Sequence, residues 1–199
     1  MTKRCLPLLV VMLAAGCAPS SSPLQAQQMS KGTNTNPDAK MLADFTTKVE
    51  AYNALRRDLA KKSVPLKEKS DPTAIQLAEK TLAANIRAAR VNAKRGDIFT
   101  PATEAMFRRL LRPEVSGGGA EAADNKAIMK DDAPQPKEVP FKINGEYPEK
   151  APLSTVPPDV LKALPPLPEN LQYRFVGRHL LLYCSHGNLI VDYMLNALP

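Results

Sequence analysis

Apolar residues recur at steps of three and four over three separate stretches, and each stretch opens on the same two-residue signal. The first signal is Asn36-Pro37, followed by Leu42, Phe45, Val49, Tyr52, Leu55 and Leu59. An N-cap side chain ahead of proline at the first helical position, with one apolar face behind it, predicts a helix from Pro37 to about Lys62, ahead of Val64-Pro65. Asp71-Pro72 opens the second stretch, whose stripe is Ile75, Ala78, Leu82, Ile86, Ala89 and Ala93 and whose expected stop is Gly96. Thr100-Pro101 opens the third, with Met106, Phe107, Leu110 and Leu111 turned inward and Pro113 as its stop. Short connections between three such helices predict an antiparallel three-helix bundle over 37–113.

The pattern then changes. Residues 114–140 carry Gly117-Gly118-Gly119, mixed charges and three prolines, and read as a flexible linker with at most a weak helix around Ala122–Lys130. Residues 141–168 read as extended, with a helical turn at Asp159–Leu164 and a polyproline-like connector at Leu164–Pro168. The last runs, 172–176, 180–184 and 189–193, are β-rich and separated by turn residues, which predicts a three-stranded antiparallel meander. So small a sheet is marginal alone and must pack on the helices, giving an α+β fold. Alternation along the last strand predicts Leu189, Val191 and Tyr193 facing the helices, with Asp192 on the solvent side or meeting Arg174 or Arg178.

Charge and composition refine this division. The chain has 199 residues and a formal net charge of +7. Residues 37–113 hold 16 Lys or Arg against 9 Asp or Glu, so the excess belongs to the helices. Lys80, Arg87, Arg90 and Lys94 recur on the second helix at about 120° from its apolar stripe and form the candidate anion-binding face. A solvated helix surface accounts for the same residues. More than half of the 19 prolines lie at or beyond Pro134, so the C-terminal part must be rich in loops.

The N-terminus is of another kind. Met1–Arg4 is a short cationic start, Leu6–Leu13 an apolar run interrupted by Pro7, and Ala14-Ala15-Gly16 a small-residue step before Cys17. That order is a signal peptide over 1–16, and the apolar run is too short for the roughly 20 residues a bilayer span requires. The string Leu13-Ala14-Ala15-Gly16-Cys17 resembles the lipobox of bacterial lipoproteins, with Ala14 where leucine is usual. The resemblance implies lipid on Cys17, export, and a membrane partner reached through the anchor. Ala18, not an acidic residue, then implies the outer membrane, facing the periplasm. Residues 17–36 are polar and read as a lipidated tether with an r.m.s. reach of about 25 Å. The stretches "FTTKVEAYNALRRDL", "IRAARVNAKRGDIFTP" and "PPLPENLQYRFVGRHLLLYCSHGNLIVDYMLNALP" are similar to an uncharacterised family of exported bacterial proteins, which implies a folded module and no particular activity.

Candidate chemistry is sparse. Cys5 leaves with the signal and Cys17 is the lipid site, so Cys184 has no internal disulfide partner. His179, Cys184 and His186 offer two imidazoles and a thiolate, a set suited to zinc or copper if His179 pairs opposite Cys184. His179, Cys184, His186 and Asp192 are also the only nucleophile-and-base grouping, with Asn188 or Asp192 placed to orient the ring, but no flanking signature of a cysteine enzyme accompanies it. The glycine triplet lacks the Lys-Ser/Thr of a phosphate loop. The sequence therefore predicts a non-enzymatic cell-envelope protein with a structural or interaction role and no cofactor. Its partners would be an anionic envelope component or another envelope protein, not nucleic acid. The rival reading is a small-ligand or metal-binding module that uses the C-terminal hairpin.

Overall fold

A computed structural model describes residues 36–63, 71–132, 134–152 and 154–199. The expected signal peptide 1–16, Cys17 and the expected tether up to residue 35 lie outside the described residues. The fold is α+β. The described residues form α1 (Pro37–Lys61), α2 (Pro72–Ala89), α3 (Pro101–Ser116), α4 (Ala120–Asp132), α5 (Pro158–Ala163), and strands β1 (Leu171–Val176), β2 (His179–Cys184) and β3 (Leu189–Met194).

All three long helices open as their capping residues dictate. Asn36 Oδ1 accepts the Asp38 N–H at 3.0 Å, Asp71 Oδ1 the Ala74 N–H at 2.8 Å, and Thr100 Oγ1 the Thr103 N–H at 3.3 Å. Their ends depart from expectation. α2 stops at Ala89, well short of Gly96, because Arg90 leaves the helix (φ −115°, ψ 35°) to reach other elements. α3 runs through Pro113 to Ser116, and so carries Val115 into the core with 4 % of its surface exposed. Proline in a last turn forfeits a single backbone bond, which that burial offsets. The expected linker over 114–140 instead holds the end of α3 and all of α4. Asn125 Nδ2 ties α4 to the Glu114 carbonyl at 3.1 Å, and Met129 is buried.

The sheet is antiparallel in the order β1-β2-β3. Its helix-facing side chains include Tyr173, Phe175, Leu180, Leu182, Cys184, Leu189 and Met194. They meet Phe45 of α1, Leu82 and Ile86 of α2 and Phe107 of α3 in one core. Phe45, Phe99 and Phe107 pack with ring centroids 5.0–5.8 Å apart, and Tyr173 joins Phe107 at 5.9 Å. On the other face Val176, Leu181, Tyr183 and Ile190 are covered by Val139 and Tyr147 from the loop-rich segment.

A β-bulge breaks the alternation of β3. Tyr183 pairs with Ile190 but Leu182 pairs with Asp192, so Val191 is an extra residue. The expectation for β3 therefore holds for Leu189 and Val191, which enter the helix-side core, and fails beyond them. Tyr193 turns to the other face, and Asp192 turns inward and is wholly buried.

Candidate functional site

The residues with the most chemistry gather where α1, the chain after α2 and the strand ends meet. Asp192 stands at one side of this cluster. Its Oδ2 accepts the Ile98 and Phe99 N–H groups at 2.8 and 2.9 Å, and its Oδ1 accepts Gly96 and Tyr193 N–H at 3.0 and 2.8 Å. One carboxylate thus satisfies three donors of the turn that launches α3. Arg174 and Arg178 were its expected partners. Arg174 instead serves Gln172 and the Ser154 carbonyl, and Arg178 the Leu198 carbonyl. Burial pushes the Asp192 carboxyl above the ordinary range, and the four backbone N–H groups pull against that shift.

Arg90 links Asp192's neighbourhood to α1. Its guanidinium lies over the Tyr52 ring, 5.0 Å from the centroid, and its Nη1 donates to Asn144 Oδ1 at 2.6 Å and to the Val191 carbonyl at 3.3 Å. Burial depresses Arg90, with Tyr52, Asp192 and Asp97 opposing. Arg87 donates from Nε to the Asn144 carbonyl at 3.1 Å and lies 3.7 Å from the Glu146 carboxylate. The anion-binding stripe of Lys80, Arg87, Arg90 and Lys94 is therefore not continuous. Two of the four clasp the 140s segment, and Lys94 lies beyond the end of the helix that would have aligned it. Lys80 stays exposed on α2.

The expected metal set is taken apart in the same way. His179 and Cys184 are the two ends of one strand, about 16 Å apart at the usual rise, rather than cross-strand partners. His179 Nδ1 accepts the Asn196 N–H at 2.9 Å, while burial and Arg178 hold its pKa down. Cys184 is fully buried in the core. His186, on the 3-10 turn after β2, takes a hydrogen bond at Nδ1 from Arg56 Nη1 at 3.1 Å, which leaves the proton of the neutral ring on Nε2. Among the described residues no three His, Cys, Asp or Glu side chains converge on a point that could hold a metal. The nucleophile-and-base grouping fails likewise: Cys184 is sealed from solvent, the free lone pair of His186 is spent on Arg56, and Asp192 is committed to its turn.

Sequence reasoning missed two members of this cluster. Arg56 is 5 % exposed, with Nε and Nη2 on Asn53 Oδ1 at 3.3 and 3.0 Å, and no carboxylate of the described residues pairs with it. A buried cation held by neutral acceptors alone is costly, so Asn53 and His186 are needed where they stand. No sequence signal marks it, because Arg56-Arg57 reads as helix surface. Asn144 lies in the left-handed region at φ 56°, and its Asn-Gly step is the signal that could have found it. The buried Tyr52 hydroxyl has no hydrogen-bond partner among the described residues, and burial pushes the phenol above its usual range, with Cys184 adding to the shift and Arg90 and Arg56 opposing it.

No family model, no curated protein and no solved structure matches this chain.

Proposed function

We propose that the chain is an exported lipoprotein, anchored through lipid on Cys17, whose folded part binds an envelope component instead of turning over a substrate. The observation that carries this reading is the order of the N-terminus: cationic start, apolar run Leu6–Leu13, then Leu13-Ala14-Ala15-Gly16-Cys17. In this reading α1, α2 and α3 act as the three-helix body on which the sheet rests. Ala18 directs the protein to the outer membrane, facing the periplasm. The folded part supports a binding role because its reactive side chains are spent on the fold. Cys184 is in the core, His186 holds Arg56, and Asp192 caps the turn before α3. The test is Cys17→Ser followed by cell fractionation and intact-mass measurement. The wild-type protein should be found with membranes and carry an acyl mass that the variant lacks. Equal solubility and no acyl difference would overturn the proposal.

A further inference from the structure

Where the end of α3, α4, the β1–β2 turn and the C-terminal residues come together, the structure holds a cavity of about 310 Å³. Its base is apolar: Val115 and Met129 are 4 % and 2 % exposed, and the partly buried Leu198 closes one side. Arg178 fixes that wall, since its carbonyl accepts the Leu198 N–H and its Nη2 donates to the Leu198 carbonyl, each at 3.1 Å. The rim is cationic. Lys126 and Lys130 of α4 stand one helical turn apart on the lining, and Arg178 completes the set. Like charges at i,i+4 repel. Neither lysine has an acidic residue three or four positions away on its helix to compensate, those positions being Ala122, Ala123, Met129 and Ala127. None of the three cations has an ion-pair partner among the described residues.

We propose that this cavity binds a single-chain anionic amphiphile. The apolar tail lies on Val115, Met129 and Leu198, and the carboxylate or phosphate head sits among Lys126, Lys130 and Arg178. The occupant follows from the two halves of the lining. A wholly polar anion would leave the apolar base wet, and an uncharged chain would leave three cations with no ion-pair partner among the described residues, in a lining that Gln135, Gly177 and Pro199 complete. The volume is at the small end of ligand pockets, which span about 300–1,000 Å³, and so selects one chain over two. The site is independent of the proposed anchor at Cys17.

The test is calorimetric titration of the full chain carrying Cys17→Ser, so that no lipid of its own competes. The probes, kept below their micelle concentrations, are dodecanoate, dodecyl phosphate, a lysophosphatidylglycerol, dodecyltrimethylammonium and inorganic phosphate. At least one anionic amphiphile should bind at one per chain, at least about tenfold more tightly than the cationic probe or inorganic phosphate, a margin set by the head and tail together. Preference for dodecanoate identifies a free fatty acid as the source, and preference for the lysolipid a phospholipid headgroup. Lys126→Glu with Lys130→Glu should abolish that preference without moving the melting temperature, whereas Lys80→Glu on α2 should change nothing. The milder pair Lys126→Gln and Lys130→Gln, which keeps the fold even if the charge reversal does not, should bring the anionic and cationic probes toward equal affinity. No saturable binding, equal binding of the cationic amphiphile, or binding unchanged in the Gln pair would each overturn the proposal.

Discussion

The two faces of the C-terminal sheet are sealed by different means. On the helix side, Phe45, Leu82, Ile86 and Phe107 come from regular helices, and their spacing alone aims them at the strands. On the other side the cover is the irregular chain from Pro134 to Pro152, which has no period to aim it. That cover is held by backbone bonds instead. Asn144 N–H donates to the Ile190 carbonyl and Ile190 N–H to the Gly145 carbonyl, both at 2.8 Å, and Tyr147 N–H donates to the Asn188 carbonyl at 3.1 Å. The loop thus pairs with the start of the free edge of β3, as an added strand would, and closes that part of the edge to other chains. Packing aligns one cover and hydrogen bonding the other, so the two should fail differently.

The largest effect is expected at the point where the helix side also depends on a polar group. Asp192→Ala strips three turn N–H groups of their acceptor in a buried place. It should cost about 3 kcal/mol in denaturant melts, at roughly 1 kcal/mol or more per orphaned donor. Asp97→Ala, which removes the acceptor of one exposed N–H, should cost less than about 1 kcal/mol. Equal losses would mean that the buried cap contributes nothing special.

The loop cover should give way more gently. Asn144→Ala removes the bond from Arg90 and the one returned to the Arg90 carbonyl, and it forces a left-handed backbone on alanine; about 2 kcal/mol is expected. Asn144→Gly accepts that backbone and should recover about half of the loss. If glycine restores wild-type stability, the clasp through the side chain is unimportant and only the conformation matters. The smallest effect concerns His179, whose ring packs edge-on against Phe141 of the same cover with centroids 5.0 Å apart. Burial and Arg178 hold its folded pKa below the unfolded value of about 6.5. The unfolded chain therefore binds the proton first, so stability is full above about pH 6.5 and falls as the pH drops toward the folded value. His179→Gln should flatten that part of a melting-against-pH curve, and an unchanged slope would assign it to other groups.

What could be read from the residues follows the same division. Helix starts were legible because cap and proline act locally, and the three strands were legible because their runs are almost wholly apolar; every residue from Leu180 to Cys184 is buried. The bulge at Val191 was not, because no residue there is a turn former and its cause lies in the N–H groups of Gly96, Ile98 and Phe99, distant in sequence. α4 was legible only as a weak helix around Ala122–Lys130, because its amphipathic pattern is weak and glycines precede it. The candidate sites were misread for a related reason. Arg56, Arg87 and Arg90 look like surface charge until the segment they hold is in place.

The Asp192 cap also sets the order in which the chain can fold. The carboxylate and the Ile98 N–H it accepts are 94 residues apart, and Arg56 meets His186 across 130. The turn that launches α3 has no acceptor until β3 has formed, and Arg56 has no second partner until the β2–β3 connection arrives. A chain that has not yet reached His186 therefore has its helices without either of the groups that fix them, and one that has not reached Asp192 lacks the cap. Loops of that length must close before these contacts contribute, which makes folding slow and the final step cooperative. The helices are held unfinished until β3 is in place, which suits the export we propose for this chain.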